Sequence, residues 1–126
     1  MSLKDYKVGT AVAVSDMARA KDFYEGKLGL EPGQENDEMA MYECGEGTGL
    51  VVYVSEHAGS NKATLAGFDV PDFDGVRNAL AERGVEFERY ESESGVTTDE
   101  DGVFEGPGFK AAWFKDPDGN IFAING

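Results

Sequence analysis

The chain has 126 residues, of which 40% are hydrophobic and 11% aromatic, enough for one ordinary domain with its own core. Its 11 basic and 25 acidic residues give a net charge of −14, which disfavours nucleic-acid or anionic-membrane partners, because both need a basic surface. With Cys44 as its one cysteine and no apolar run of membrane-spanning length, the sequence indicates a soluble, acidic, cytoplasmic protein without an internal disulfide.

The first half of the chain begins with a segment of alternating character. Residues 8–14 place Val8 and two further valines on one side and glycine or alanine on the other, a pattern typical of a half-buried strand. Ser15 and Asp16 provide an N-cap signal, and the apolar spacing that follows predicts an amphipathic helix ending at Gly29. Further strands are predicted near residues 30–34, 38–44 and 48–55.

The second half repeats this order. Residues 63–70 form a second alternating strand, Pro71-Asp72 begins a second helix and Gly84 ends it, and Asp72 follows Asp16 by 56 residues. A repeat of this length indicates two copies of one β-α-β-β-β unit. We predict a single domain, residues 1–126, made of module 1 at about 7–56 and module 2 at about 62–126. The remaining strands of module 2 are predicted at residues 85–90, 103–115 and 120–125.

The segment from Glu91 to Glu105 is strongly acidic. It contains six acidic residues, Glu93 among them, and no basic one, so mutual repulsion predicts a long loop or a mobile strand pair. Asp99-Glu100-Asp101 could bind calcium weakly, but solvated charge is the better interpretation.

Two segments carry a family resemblance. VSDMARAKDFYEGKLGLEP at residues 14–32 and AAWFKDPDGN at residues 111–120, within a tandem βαβββ repeat, resemble the vicinal oxygen chelate superfamily. This superfamily includes glyoxalase I, extradiol dioxygenases, fosfomycin-modifying enzymes and bleomycin-resistance proteins, and the likeness covers about residues 7–125. The resemblance implies an α+β fold in which tandem βαβββ modules form a cupped, partly open mixed barrel. It also implies a homodimer.

The resemblance further implies where a metal ion is held in the members that use one. In this chain the family's ligand positions are occupied by Gly9, Leu65, Ala123 and, on the fourth strand, Val51 or Tyr53. None of these side chains coordinates a divalent ion. We therefore expect neither a metal nor a cofactor.

Trp113 and Phe114 are neighbours on a predicted strand, so their side chains point to opposite faces. The resemblance favours Phe114 in the core and Trp113 in a pocket, although packing of Trp113 at a module or dimer interface is an equal alternative. Tyr53 is a second candidate for an aromatic wall with a hydroxyl group.

Three other features have a functional and a structural interpretation. His57, the single histidine, is either a general base or a solvated loop residue, and the second is favoured because the sequence offers no second histidine for a catalytic set. Cys44 has acidic neighbours, which indicates an inert thiol rather than a reactive one. Residues 116–120, DPDGN, contain calcium-like aspartates, but their proline and glycine predict a turn between two strands.

The sequence supports two main functions. The first is a metal-free small-molecule-binding protein that sequesters a drug or metabolite, and its ligand-binding residues are predicted to be Trp113, Tyr53, Leu65, Gly9 and Ala123. The net charge of −14 would attract a cationic ligand over long range. The alternative is a glyoxalase- or dioxygenase-like enzyme, a lyase or oxidoreductase, with a non-standard active site. A third possibility is a partner-binding module with a vestigial pocket.

Overall fold

The computed structural model describes residues 2–91 and 95–126, and the chain divides into two compact units, Met1–Gly59 (unit 1) and Ser60–Gly126 (unit 2). Unit 1 contains, in chain order, β1 (Thr10–Val14), α1 (Met17–Lys21), a π-helical segment (Asp22–Lys27), β2 (Pro32–Glu35), β3 (Met39–Glu43) and β4 (Gly49–Val54). Unit 2 contains β5 (Thr64–Asp69), α2 (Phe73–Glu82), β6 (Val103–Gly106), β7 (Phe109–Lys115) and β8 (Ile121–Asn125). Short 3-10 turns lie at Leu3–Asp5 and Gly45–Gly47.

Each unit has one four-stranded mixed sheet, and the two sheets have the same topology. The strand order is β1-β4-β3-β2 in unit 1 and β5-β8-β7-β6 in unit 2. In both, the first strand pairs in parallel with the last, and the other pairs are antiparallel. The predicted α+β fold with a tandem βαβββ repeat is therefore confirmed.

The two helices begin at equivalent positions of the repeat. The Asp16 carboxylate accepts a hydrogen bond from the Arg19 N–H at 3.1 Å, and the Asp72 carboxylate accepts one from the Gly75 N–H at 3.3 Å. Each carboxylate satisfies a backbone donor that the first helical turn leaves unpaired. The aspartates that define the sequence repeat are thus the N-caps of both helices.

The first helix differs from the prediction in its second half. After Lys21 the helix widens into the π-helical segment, where the Leu28 N–H donates to the Phe23 carbonyl, five residues back, at 3.0 Å. Phe23 and Tyr24 are both buried there, and the Tyr24 ring stacks on Tyr42 of β3 with centroids 6.1 Å apart. This contact joins the helix to the buried face of the sheet.

Val8 does not belong to the first strand, and this part of the prediction was wrong. The pairing of β1 with β4 begins at Thr10 and Leu50, so no partner strand extends to Val8, which is 91% exposed. Val12 and Val14 are buried, as the alternation predicts.

The core of unit 2 is aromatic. Phe114 and Phe122 lie on adjacent strands with their rings stacked 5.7 Å apart, and α2 contributes Phe73 and Leu80 to the buried set. Phe114 is 1% exposed, as the family resemblance implies.

Two predicted strands of unit 2 were wrong. Residues 85–90 make a single bridge, Phe87 to Phe114, because the same edge of β7 pairs with β6 from Phe109 to Ala112. The predicted strand 103–115 is two strands, β6 and β7, which turn at residues 107–108, PG. Gly108 has a φ of 81°, a conformation that glycine adopts without a steric penalty.

The acidic segment from Glu91 to Glu105 leads through a hydrogen-bonded turn into β6. Ser92, Glu93 and Ser94 lie outside the described residues. The Asp99 carboxylate accepts hydrogen bonds from the N–H groups of Asp101 and Val103, both at 2.9 Å, which forms a turn leading into β6. Residues 97–102 form no helix or strand, which agrees with the predicted loop, and β6 begins at Val103.

No helix within residues 2–91 and 95–126 is both long and apolar enough to cross a membrane.

Candidate functional site

One face of the unit 2 sheet carries small residues around Trp113. Because side chains alternate along a strand, Trp113 points away from the face of the buried Phe114. Trp113 pairs with Ala123 of β8, and Ala123 pairs in turn with Gly67 of β5. A methyl group added at Gly67 would lie 2.8 Å from the Asn125 side-chain amide, so a larger residue does not fit there without movement. Small residues thus surround Trp113 on this face of the sheet, and Ala123 is 4% exposed.

A cavity of about 630 Å³ lies at one end of this face, and we call it the Trp113 cavity. Its volume falls within the range of small-molecule sites. The residues that line it all belong to unit 2: Lys62, Ala63, Thr64, Glu88, Tyr90, Val96, Trp113, Lys115, Gly119 and Ile121.

Tyr90 and Trp113 form the aromatic wall of the cavity. Their rings meet edge to face, with centroids 5.6 Å apart and an angle of 73°. Phe104 lies behind, 6.4 Å from the Trp113 ring. The two rings, inclined at 73°, give this part of the cavity an apolar wall.

Backbone hydrogen bonds fix the segment that carries Tyr90. The Tyr90 N–H donates to Thr98 Oγ1 at 2.8 Å, and the Thr98 N–H donates to the Tyr90 carbonyl at 2.9 Å. The Glu88 N–H donates to the Trp113 carbonyl at 2.8 Å, which ties the same segment to β7. The aromatic wall is therefore held in place from both sides.

Among the described residues that line the cavity, two lysines and one glutamate are charged. Lys115 Nζ lies 3.2 Å from Glu88 Oε1, and Lys62 lies on the segment that leads into β5. Among the described lining residues the formal charge is 2 − 1 = +1, and Lys115 and Glu88 form an ion pair.

Three of the predicted ligand-binding residues belong to unit 2, and each of them has a different position relative to the cavity. Trp113 lines the cavity. Ala123 is next to Trp113 in the sheet, is 4% exposed, and is not among the lining residues. Leu65 lies at the irregularity between Thr64 and Ala66, and Thr64 lines the cavity in its place.

The other two predicted residues belong to unit 1. Tyr53 pairs with Ala13 and Met39 and is 40% exposed. Gly9 precedes β1, and a methyl group added there would meet no atom within 4 Å. Their predicted role in binding stays a prediction.

Sequence reasoning missed Tyr90 and Val96 as parts of the site. Tyr90 was assigned to a strand and Val96 to the acidic loop, and no periodic pattern connects either of them with Trp113. The one available signal was Tyr90 itself, an aromatic residue beside an otherwise polar stretch.

The residues at the family's ligand positions do not fit a divalent metal ion. Gly9, Leu65 and Ala123 have no side-chain donor atoms. Within the described part of the chain, no group of three or more His, Cys, Asp and Glu side chains is arranged to hold a metal. His57 is 79% exposed in its side chain and lies 3.6 Å from Glu56, which agrees with a solvated position.

The calcium-like aspartates of residues 116–120 form a turn between β7 and β8, as predicted. The buried Asp116 carboxylate accepts hydrogen bonds from the N–H groups of Asp118, at 3.0 Å, and Asn120, at 2.8 Å. The Asn120 side-chain amide donates to the other carboxylate oxygen at 2.8 Å. With its oxygens engaged in this way, Asp116 has a structural role.

Cys44 is partly buried, and burial raises the pKa of its thiol above the ordinary value. A raised pKa keeps the sulfur protonated at neutral pH and therefore weakly nucleophilic. This agrees with the prediction of an inert thiol.

Comparisons with solved structures identify proteins of the same fold. TnmS3, an antibiotic binding protein from Streptomyces sp. CB03234, is 25% identical, with a TM-score of 0.70 and coverage of 95% of both chains. A glyoxalase/bleomycin resistance protein from Catenulispora acidiphila DSM 44928 is 28% identical, with a TM-score of 0.69, covering 94% of this chain and 96% of that one. A further one from Streptomyces sp. CB03234 is 26% identical, with a TM-score of 0.67 and coverage of 92% and 96%.

No curated protein matches the chain. The family model for the Glyoxalase/Bleomycin resistance protein/Dioxygenase superfamily, however, matches residues 8–124, which is nearly the whole sequence. With the same βαβββ topology in both units, the chain belongs to this superfamily.

Proposed function

We propose that the protein binds a small organic molecule in the Trp113 cavity without a metal ion, and so sequesters a drug or a metabolite. The observation that carries this proposal is the aromatic wall of Tyr90 and Trp113 beside a space of about 630 Å³. An aromatic ligand stacked there would bury apolar area on both partners, which is the main favourable term in such binding.

Two further observations support the proposal. The family's ligand positions carry Gly9, Leu65 and Ala123, so chemistry that depends on a metal at these positions lacks its side chains. In addition, a structural neighbour that is 25% identical is described as an antibiotic binding protein.

The single tryptophan of the chain makes the proposal directly testable. We expect a thermal-shift screen of aromatic compounds to yield ligands that raise the unfolding temperature and change the fluorescence of Trp113. For these ligands, Trp113→Leu should weaken binding by about tenfold or more, measured by calorimetry, because a central aromatic contact is lost.

Phe109→Leu is the matched control, since Phe109 lies on the same strand as Trp113 but does not line the cavity. It should leave the affinity within about twofold. The proposal fails if no compound binds, if Trp113→Leu binds as tightly as the unchanged protein, or if the purified protein contains a stoichiometric metal that binding requires.

The same experiment separates binding from catalysis. A sequestering protein returns its ligand unchanged, whereas the alternative, a glyoxalase- or dioxygenase-like enzyme, converts it. Mass spectrometry of the compound after incubation therefore distinguishes the two functions.

We propose a cytoplasmic location, supported by Cys44. A reducing compartment keeps such a thiol unpaired. Cell fractionation tests this proposal.

A further inference from the structure

Arg77 of α2 contacts two parts of unit 2 that are distant from each other in sequence. Its Nη2 donates to the Asp101 carbonyl at 2.7 Å, in the turn before β6, and its guanidinium carbon lies 5.0 Å from the centre of the Phe87 ring. Both contacts use the planar guanidinium, which can stack on a ring and donate in its own plane at the same time. One side chain of the helix therefore holds both the turn and the segment at residues 85–90.

Phe87 connects this contact with the aromatic wall. The Phe87 ring meets the buried Phe114 edge to face, with centroids 6.1 Å apart. The next residue, Glu88, donates its N–H to the Trp113 carbonyl at 2.8 Å, and Tyr90 follows two residues later. A displacement of Phe87 would therefore move the segment that carries Tyr90.

The turn before β6 packs closely on the same segment. A methyl group added at Gly102 would lie 2.8 Å from the Glu88 carbonyl oxygen and 3.0 Å from Phe87 Cβ. Asp101, whose carbonyl accepts the hydrogen bond from Arg77, immediately precedes Gly102. Arg77 thus holds both sides of this contact.

The position of Arg77 has an energetic cost. Its Nε is buried and has no hydrogen-bond partner among the described residues, and a buried donor left unpaired is unfavourable. An apolar side chain of similar length would fill the same space without this cost. The cost indicates a role beyond packing.

We infer that Arg77 is a positioning residue for the Trp113 cavity, although it is not among the described residues that line it. Its planar guanidinium holds residues 85–90 against β7 and so keeps the Tyr90 ring on Trp113. The effect on ligand binding rests on the proposed function, whereas the position of the aromatic wall can be measured without a ligand.

Arg77→Met tests the inference, because methionine keeps an apolar stem and removes the guanidinium. Acrylamide should quench the fluorescence of Trp113, the single tryptophan, about twofold or more strongly in this variant, since the Tyr90 ring then shields the indole less. The affinity for 2-naphthamide, an uncharged aromatic probe, should fall by about threefold or more in calorimetry. Arg77→Lys retains the charge but not the planar group and should change both quantities in the same direction, which keeps the test available if Arg77→Met folds poorly.

Two variants are the controls. Arg89→Met removes the same charge from an exposed position one residue before Tyr90. Tyr42→Phe removes a buried hydrogen bond in unit 1, to which none of the described lining residues of the cavity belongs. Both should leave the quenching and the affinity within about 1.5-fold of the unchanged protein, which separates positioning from effects of charge and of global stability.

The outcomes distinguish this inference from the proposed function. Unchanged quenching in Arg77→Met overturns the inference, as does an equal increase in Tyr42→Phe. Values in Arg77→Lys equal to those of the unchanged protein overturn it as well, because charge alone would then suffice. Stronger quenching with unchanged affinity for the probe also overturns it, because the wall would then move without an effect on the site. Failure of 2-naphthamide to bind the unchanged protein counts against the proposed function, and the quenching then decides the inference alone.

Discussion

Tyr42 and Glu25 form a hydrogen-bonded pair at the centre of unit 1. The Tyr42 hydroxyl donates to Glu25 Oε2 at 2.8 Å, and the Tyr42 side chain is almost completely buried. Burial, and then the hydrogen bond to the carboxylate, raise the pKa of Tyr42 above its ordinary value of 10.0. Glu25 belongs to the π-helical segment, so this pair joins that segment to β3.

Raising the pH should destabilise the protein through Tyr42. Between the unfolded and the native pKa of this residue, unfolding releases a proton, so the stabilising effect is complete below about pH 10 and is lost above it. The free energy of unfolding should then fall by up to about 1.4 kcal/mol per pH unit from this residue. Tyr42→Phe should cost about 1–2 kcal/mol at pH 8, and the difference from the unchanged protein should shrink above pH 10 in urea titrations.

Tyr6→Phe is the control for this measurement, because Tyr6 is exposed. It should change the free energy of unfolding by less than about 0.5 kcal/mol. A difference between Tyr42→Phe and the unchanged protein that stays constant from pH 8 to pH 11 would contradict the prediction.

At the scale of single residues, the sequence predicted which face of a strand a side chain occupies better than it predicted which residues lie next to each other. The opposite orientations of Trp113 and Phe114 follow from strand alternation, and the structure confirms them. The face on which Leu65 lies could not be predicted, because the irregularity before Ala66 shifts the register of β5. Tyr90 reaches the cavity through hydrogen bonds to Thr98, eight residues away, and no local pattern encodes them.

At the scale of elements, capping and alternation located the helices and most strands. The two N-cap aspartates fixed both helix starts, and β3, β4, β5 and β8 lie within two residues of their predicted bounds. The error at residues 85–90 arises because β6 pairs with β7 from Phe109 to Ala112, which leaves a single bridge between Phe87 and Phe114 on that edge. The error at residues 103–115 arises because the turn at residues 107–108 divides the segment into β6 and β7.

Gly102 lies in the turn before β6, and its substitution tests how closely this turn packs on residues 85–90. Gly102 and Gly108 have nearly equal φ angles, 80° and 81°, but a methyl group at Gly102 would lie 2.8 Å from the Glu88 carbonyl oxygen, and one at Gly108 would meet nothing within 4 Å. Gly108→Ala should therefore cost about 1–2 kcal/mol for the left-handed backbone alone. Gly102→Ala should cost about 1–3 kcal/mol more, because backbone must move.

The fluorescence of Trp113 provides a second measurement for this pair. The Glu88 N–H donates to the Trp113 carbonyl, so a movement of the Glu88 backbone in Gly102→Ala should shift the emission of Trp113. Gly108→Ala should leave the emission unchanged. Equal losses in the free energy of unfolding and unchanged emission in both variants would contradict the prediction, because the turn would then move without disturbing the aromatic wall.

At the scale of the molecule, the repeat was visible in the sequence, but the consequences for assembly were not. Each unit has about 60 residues, a size at which a single core is marginal. Unit 1 also exposes large apolar side chains, including Leu3, Tyr6 and Met41. These observations support two proposals: that the units fold together as one domain, and that two chains form a homodimer.

We expect calorimetry to show one unfolding transition whose midpoint rises with protein concentration, because dissociation accompanies unfolding of a dimer. Light scattering should give a mass near twice 13.6 kDa. Two separate transitions would contradict the single domain. A mass near 13.6 kDa, with a midpoint independent of concentration, would contradict the dimer.

β2 is an edge strand of the unit 1 sheet, and its residues affect whether the protein associates at high concentration. All four of its residues are exposed, and it begins with Pro32, which has no N–H to offer, and ends with the charged Glu35. A foreign strand that approached this edge would find no N–H at Pro32 and would have to displace water from the ion pair of Glu35 Oε2 with Lys21 Nζ at 2.8 Å, and proline and charge are features by which natural sheets protect their edges. We expect the native protein to remain free of amyloid-like association even at the high concentrations that the proposed sequestration would require, since one protein molecule would bind one ligand molecule.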